Sequence, residues 1–223
     1  MYQSYENDEF NRTSPRIVSP NSPFEIEFAQ NRDTLLDVET YKKFLDNAIS
    51  NFRHSATYKN YKAFLMQLGL NRCQFHGNII SSEEHKMATI EMHHNMLTIF
   101  DIAYIMCEHV LNTTGSITTM DLICMLKKEH TEHRVQLVML SLTPHQLYHN
   151  NPDFFIHPKM CFGNWQEFLS RYNKGISTDL AFKILFYLKR AIENKESKDS
   201  ELLNIRNNIL EWSGLNGNSL GCE

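Results

Sequence analysis

Four histidines in the middle of the chain have residue types and spacings that could bind a metal ion. His93 and His94 are adjacent in the segment TIEMHHNML, and His145 and His149 lie four residues apart in TPHQLYHN. Residues four apart on a helix lie on one face, a turn from each other. Two imidazoles from a helix and one from a strand could hold one divalent ion, and a fourth could act as a base at neutral pH. The pattern predicts metal-dependent hydrolysis, with a phosphodiester as the favoured bond.

The elements that must position these histidines are indicated by the spacing of apolar residues. An alternating pattern predicts a short strand over residues 73–80 and a returning strand over 87–94, which ends at His94. Residues 135–141 (VQLVMLS) are typical of a buried strand or an extended loop. Thr143 is a plausible N-cap for the helix that carries the second histidine pair, with Pro144 at its first position. Helical spacing predicts further helices over 34–51, 57–68, 99–112, 118–133, 163–172, 177–194 and 200–212.

Composition shifts divide the chain into five parts around this unit. Residues 1–33 contain Pro15, Pro20 and Pro23 among many polar residues, which predicts an extended arm. The remaining parts are N-terminal helices over 34–72, the histidine-bearing unit over 73–150, C-terminal helices over 151–212 and a flexible tail over 213–223. A helical insertion at about 98–133 separates the two halves of the histidine-bearing unit. The fold class is therefore expected to be mainly α, with a small two-stranded unit embedded in it.

Composition also excludes several classes of protein. Five widely spaced cysteines without a CxxC pair argue against a disulfide framework or a zinc ribbon. No secretory signal or membrane-spanning run is visible, so a cytoplasmic protein is expected. The formal net charge of −4 shows no overall basic surface for nucleic acid. Binding to DNA would therefore be local or would depend on a partner protein.

These residues are similar to those of the HNH nucleases, in particular the histidine-rich version found in colicin-type DNases. His93-His94 match the adjacent pair at the end of the first strand of the family's ββα-metal fold. The stretch QLVMLSLTPH places His145 at the family's helical histidine, and His149 completes the spacing. The family's Asn, nine residues before the helical histidine, is Gln136 here. The resemblance covers residues 73–150.

The resemblance implies a role for each matched residue. His93, His145 and His149 would bind one divalent ion, and His94 would be the general base, with Gln136 constraining the loop that orients it. The ion would be magnesium, manganese, nickel or zinc, and three imidazoles favour a transition metal over magnesium in affinity. The implied function is a DNA endonuclease. Glu91, two residues before His93, could support an imidazole or be a solvated strand residue, and the second is favoured. His130 is expected to be a helix-surface or loop residue.

Two other functions are compatible with the same residues. The chain could be a degenerate HNH fold that acts as a non-catalytic structural or interaction subunit, for example of a phage assembly. The net charge, Gln136, the extra helices and the N-terminal arm, which could bind a protein partner, all favour this alternative. A structural metal site without catalysis is the third interpretation. High usage of Asn, Ile, Lys and Phe favours a virus or bacterium with an AT-rich genome, and a phage protein would act in the cytoplasm of the host bacterium.

Overall fold

The computed structural model describes residues 29–77, 79, 89–193 and 200–215. Within these residues the chain is mainly helical, as the sequence predicts, with two small two-stranded antiparallel sheets. The predicted arm up to residue 28 and the predicted tail from residue 216 lie outside the described residues. The helices are α1 (Val38–His54), α2 (Ala56–Gln67), α3 (Ile99–Thr113), α4 (Thr119–Thr131), α5 (Leu142–Asn150), α6 (Trp165–Arg171), α7 (Thr178–Glu193) and α8 (Ser200–Ser213). The strands are β1 (Gln30–Asn31), β2 (Ile90–His94), β3 (Ser116–Ile117) and β4 (Leu137–Ser141).

Helices α3 and α4 begin with reciprocal caps that the sequence encodes locally. The Thr98 side chain accepts a hydrogen bond from the Asp101 amide, and the Asp101 carboxylate accepts one from the Thr98 amide. Thr118 and Asp121 repeat this arrangement at α4. Each cap satisfies amide groups that have no partner within the helix, so it fixes the residue at which the helix starts. The cap of α3 therefore ends the loop that follows His94.

The central sheet pairs β2 with β4 rather than with the segment that the sequence indicated. The prediction placed residues 73–80 beside 87–94, but residues 74–76 form a turn, and 78 and 80–88 lie outside the described residues. In the antiparallel pair that forms, His93 lies opposite Val138 and His94 opposite Leu137. The turn instead covers the second edge of β4, because the Gln74 amide donates to the Met139 carbonyl (2.8 Å).

The two faces of this sheet look into different cores. Leu137 and Met139 of β4 belong to the main core with α1, α3, α4 and α7, whereas Val138 and Leu140 pack with Ile156 in a smaller cluster. Tyr148 of α5 packs against this smaller cluster, so α5 covers that face of the sheet. Successive strand residues point to opposite faces. The adjacent His93 and His94 therefore point into two different environments.

Helix α5 begins two residues earlier than the sequence indicated. Ser141, rather than Thr143, occupies the N-cap position, and its side chain makes no cap hydrogen bond. Pro144 is therefore the third residue of the helix instead of the first. A proline is tolerated there because the amides of the first turn have no acceptor within the helix. The short helix still places His145 and His149 on one face, as predicted.

Candidate metal centre

His93, His145 and His149 converge on the face of the sheet that α5 covers. Strand β2 supplies His93, whose side chain lies on the same side as Val138, and α5 supplies the other two imidazoles. The ring centroids form a nearly equilateral triangle, with separations of 4.9 Å for His93–His145, 5.0 Å for His93–His149 and 4.8 Å for His145–His149. The structure thus brings together the three residues that the sequence selected as metal ligands.

The distances between the ring nitrogens suit a small metal ion. One nitrogen from each of the three imidazoles lies within 4.8 Å of the others. The Nε2 atoms of His145 and His149 are 3.3 Å apart. In a tetrahedral zinc site the bonds to nitrogen are about 2.1 Å, which separates neighbouring ligand atoms by about 3.4 Å. The two helical imidazoles therefore already have the spacing that such an ion requires.

Glu91 orients one of the three imidazoles. Its carboxylate oxygen lies 2.7 Å from Nδ1 of His145. Because a carboxylate only accepts, this contact places the proton on Nδ1 and leaves the Nε2 lone pair of neutral His145 facing His149. A carboxylate on the far nitrogen of a metal-binding histidine is a common supporting contact. The sequence left this role open for Glu91, from its position two residues before His93, although a solvated residue was the favoured expectation.

The buried nitrogen of His93 is without a partner in the part of the chain that the structure describes. Its Nε2 atom is inaccessible to solvent and makes no hydrogen bond. Burial, followed by the charges of His145 and His149, lowers the pKa of His93 to about 4. A neutral imidazole keeps a lone pair available at neutral pH. A buried polar atom without a hydrogen bond is costly, and a metal ion bound through this nitrogen would satisfy it.

His94, the predicted base, lies on the opposite face of the sheet from the other three. Its side chain is buried, and its Nε2 atom is 2.9 Å from Nε2 of His130 in α4. His130 Nδ1 donates to the Leu126 carbonyl (2.7 Å), so its Nε2 accepts and His94 Nε2 donates. This donor is enclosed in the main core. The expectation that His94 lies beside the metal ligands, open to a substrate water, is therefore corrected, and so is the surface position expected for His130.

Gln136 has a role in holding the backbone. With its amide oriented to suit both neighbours, its nitrogen donates to the Asn95 carbonyl (3.0 Å) and its oxygen accepts from the Trp165 indole (3.2 Å). The side chain is buried and does not reach the three-histidine cluster. It links the residue after β2 to the start of α6. The predicted function of constraining this loop is thus compatible with its contacts, but those contacts serve no exposed base.

Replacing Glu91 should weaken metal binding without removing a ligand. In Glu91→Gln, the His145 proton loses its charged acceptor, so we expect the affinity for zinc to fall by about 10- to 100-fold. Competition with a chromophoric chelator measures this change. Glu39→Gln, an exposed change in the first turn of α1, is the charge-matched control. Equal affinities in the two variants would show that Glu91 does not orient the site.

The buried His130 predicts an acid-sensitive fold. Burial is the main cause that lowers its pKa to about 4. Below pH 6.5 the unfolded chain binds a proton at His130, whereas the folded chain does so only near pH 4. The free energy of unfolding should therefore fall as the pH is lowered from 6.5 and level off near pH 4. The groups that face it are His94, Arg53 and the rings of Phe52, Tyr58 and Tyr61.

Urea unfolding with a chelator present, measured across this pH range, tests the prediction. In His130→Gln the slope of the free energy of unfolding against pH should be shallower than in the wild type, because a histidine whose pKa is lowered by folding has been removed. The three clustered histidines remain in both proteins. Because the charge of His130 also lowers the pKa of His94, the difference reports the buried His94–His130 pair. Parallel slopes would contradict the prediction.

Comparison with known proteins favours one of the two leading interpretations of the chain's function. A family described as Bacteriophage G278-like virion protein matches residues 6–214. The chain belongs to this family. No curated protein and no solved structure matches it. In the described residues, no helix is long and apolar enough to cross a membrane.

Membership of the G278-like family corrects the predicted function. The prediction of a DNA endonuclease, with His94 as its base, is wrong, because the family is one of virion proteins. The expectation that the chain binds DNA is corrected with it. The structural alternative that the sequence left open is the one that the family favours. The geometry agrees with this correction, since the imidazole proposed as the base donates to His130 in the core.

Proposed function

We propose that this protein is a structural subunit of the phage particle and has no catalytic role. The observation that carries this proposal is the match to a virion protein family over residues 6–214, nearly the whole chain. The burial of His94 supports it, because the imidazole that the nuclease interpretation assigned as the base is enclosed in the main core. Acting in the particle, the chain would reach its final location during assembly in the host cell.

We further infer that β2, β4 and α5 form a ββα-type unit that has been retained as a scaffold. Its support is the arrangement of the elements: two antiparallel strands, a helix packed on one face, one histidine on the first strand and two on the helix. Helices α3 and α4 lie between the strands in sequence, as the expected insertion does. This layout resembles the HNH fold, and here it serves assembly.

We also propose that His93, His145 and His149 hold one divalent transition-metal ion. The buried Nε2 atom of His93 supports this assignment, as does the 3.3 Å spacing of the helical imidazoles. Helix α5 is only nine residues long and lacks a side-chain cap. An ion bound by two residues of α5 and one of β2 would fasten this helix to the sheet. Three protein ligands would leave one position on the ion open, and binding would contribute to the stability of the folded chain.

The particle role is tested with purified particles of the phage that encodes the chain. Mass spectrometry should find the protein in gradient-purified particles at a fixed copy number. An amber mutation early in the gene should give defective particles in a non-suppressing host. If the protein is abundant in infected cells but absent from the particles, the structural role is excluded. That result would leave the metal proposal untouched, because metal binding is measured on the isolated protein.

A further inference from the structure

An apolar groove lies between the start of α1 and helix α3. Leu36 and Val38 are 77% and 76% exposed, the highest values among the large apolar side chains of the described residues. They border a cavity of about 440 Å³. The apolar and aromatic residues that line it are Leu35, Leu36, Val38, Tyr41, Tyr104 and Leu111. Adjacent apolar side chains this exposed usually mark a surface that something covers.

The polar groups at the groove are already paired with one another. Arg32 donates to both carboxylate oxygens of Glu108, at 2.8 and 3.2 Å, and to Asn112 at 2.7 Å. The Tyr41 hydroxyl donates to the same Glu108 carboxylate at 2.7 Å. These bonds hold α1, α3 and the segment after β1 together around the groove. The surface is therefore preformed, and its remaining binding capacity is apolar.

The chain itself supplies a segment of matching chemistry at this place. Residues 1–28 precede the described part, which begins one residue before β1. Phe24, Ile26 and Phe28 alternate with Glu25 and Glu27. In an extended segment this alternation puts three large apolar side chains on one face and two carboxylates on the other. Such a segment could place its apolar face in the groove and leave its two carboxylates in water.

Connectivity favours the same chain over a second copy. Phe28 precedes Arg32, which lines the groove, by four residues. Four extended residues span at most about 14 Å. A tether this short makes docking an intramolecular event with a high effective concentration. We propose that Phe24, Ile26 and Phe28 dock in the groove of their own chain and cover Leu36 and Val38. This proposal does not depend on the particle role or on the metal site.

Hydroxyl-radical footprinting with mass spectrometry on the full-length protein tests the docking. Leu68, 58% exposed at the end of α2, is the internal reference. In the wild type, Leu36 and Val38 should be oxidised several-fold more slowly than Leu68. In the triple variant Phe24→Ser, Ile26→Ser, Phe28→Ser, their oxidation should rise to the level of the reference. The matched control is Ile17→Ser with Val18→Ser, which removes apolar side chains from the same N-terminal region and should change nothing.

Two results would overturn the proposal. Oxidation of Leu36 and Val38 at the rate of Leu68 in the wild type would show that the groove is uncovered. Protection that disappears on dilution would show that a second copy, rather than the same chain, covers the groove. Oxidation of buried residues such as Phe52 is the control for folding. A variant that fails to fold would show faster oxidation of Phe52 as well as of Leu36 and Val38.

Discussion

Zinc should raise the thermal unfolding midpoint of chelator-treated protein by roughly 8–16 °C when free zinc is about 1,000 times its Kd. An ion that binds only the folded state stabilises it by about 4 kcal/mol at this concentration. For a chain of this length, each kcal/mol corresponds to roughly 2–4 °C. Three protein ligands from two elements, His93 on β2 and His145 and His149 on α5, meet only in the folded state. Differential scanning fluorimetry with and without zinc measures the shift.

Variants of the ligands make this result specific. His149→Ala and His93→Ala should each lose most of the zinc-dependent shift, because two imidazoles bind the ion far more weakly than three. His54→Ala, which removes an exposed histidine at the end of α1, should keep it. Magnesium should give little stabilisation, since imidazole ligands select transition metals. A full shift in the ligand variants would show that zinc binds elsewhere, and the three-histidine site would be refuted.

The helices were predictable because their signals are local. Apolar residues at helical spacing and Thr-x-x-Asp caps lie within single segments, so the bounds of α3 and α4 follow from neighbouring residues. The four-residue spacing of His145 and His149 is equally local. It places both imidazoles on one face of α5 even though the helix begins two residues earlier than the sequence indicated. The local pattern does not show that β2 lies against α5, and this long-range contact is what brings His93 to His145 and His149.

The strand pairing was not predictable in the same way. Residues 73–80 and 135–141 are both short apolar segments, and their local patterns do not say which one pairs with β2. The pairing with β4 is decided by the main core, which takes Leu137 and Met139, and by Gln74 and Phe162, which cover the second edge of β4. These contacts join residues far apart in sequence, so they leave no periodic signal.

The function was mispredicted because metal-ligand spacing does not distinguish a catalytic site from a structural one. Catalysis also needs an accessible base, and accessibility depends on which face of the strand each histidine takes. A signal for the burial of His130 was present: it lies four residues after Leu126 and eight after Leu122, which are both buried on α4. That spacing predicts an inward-facing imidazole, which is the one that receives the hydrogen bond of His94.

Gly163→Ala should destabilise the fold by about 2–5 kcal/mol, because overpacking and backbone strain act together. Gly163 has a φ of +106°, and an added Cβ would lie 2.0 Å from the carbonyl oxygen of Val135. That oxygen cannot move freely, because the neighbouring backbone is paired. Phe162 and Leu137 exchange two backbone hydrogen bonds, and the Asn164 amide donates to the His133 carbonyl at 2.6 Å. A shift that relieved the clash would break these bonds and uncover the edge of β4.

Gly69→Ala is the matched control, because it separates strain from crowding. Gly69 has a similar φ of +94°, yet an added Cβ there meets nothing within 4 Å. It should therefore cost only the conformational penalty of about 1–2 kcal/mol. Urea unfolding of both variants gives the difference between them. Equal free energies of unfolding in the two variants would mean that residues 162–164 can shift without loss of stability. The stability of β4 would then not depend on this segment. A difference of several kcal/mol would show that this crossing supports the strand that leads into α5 and its two histidines.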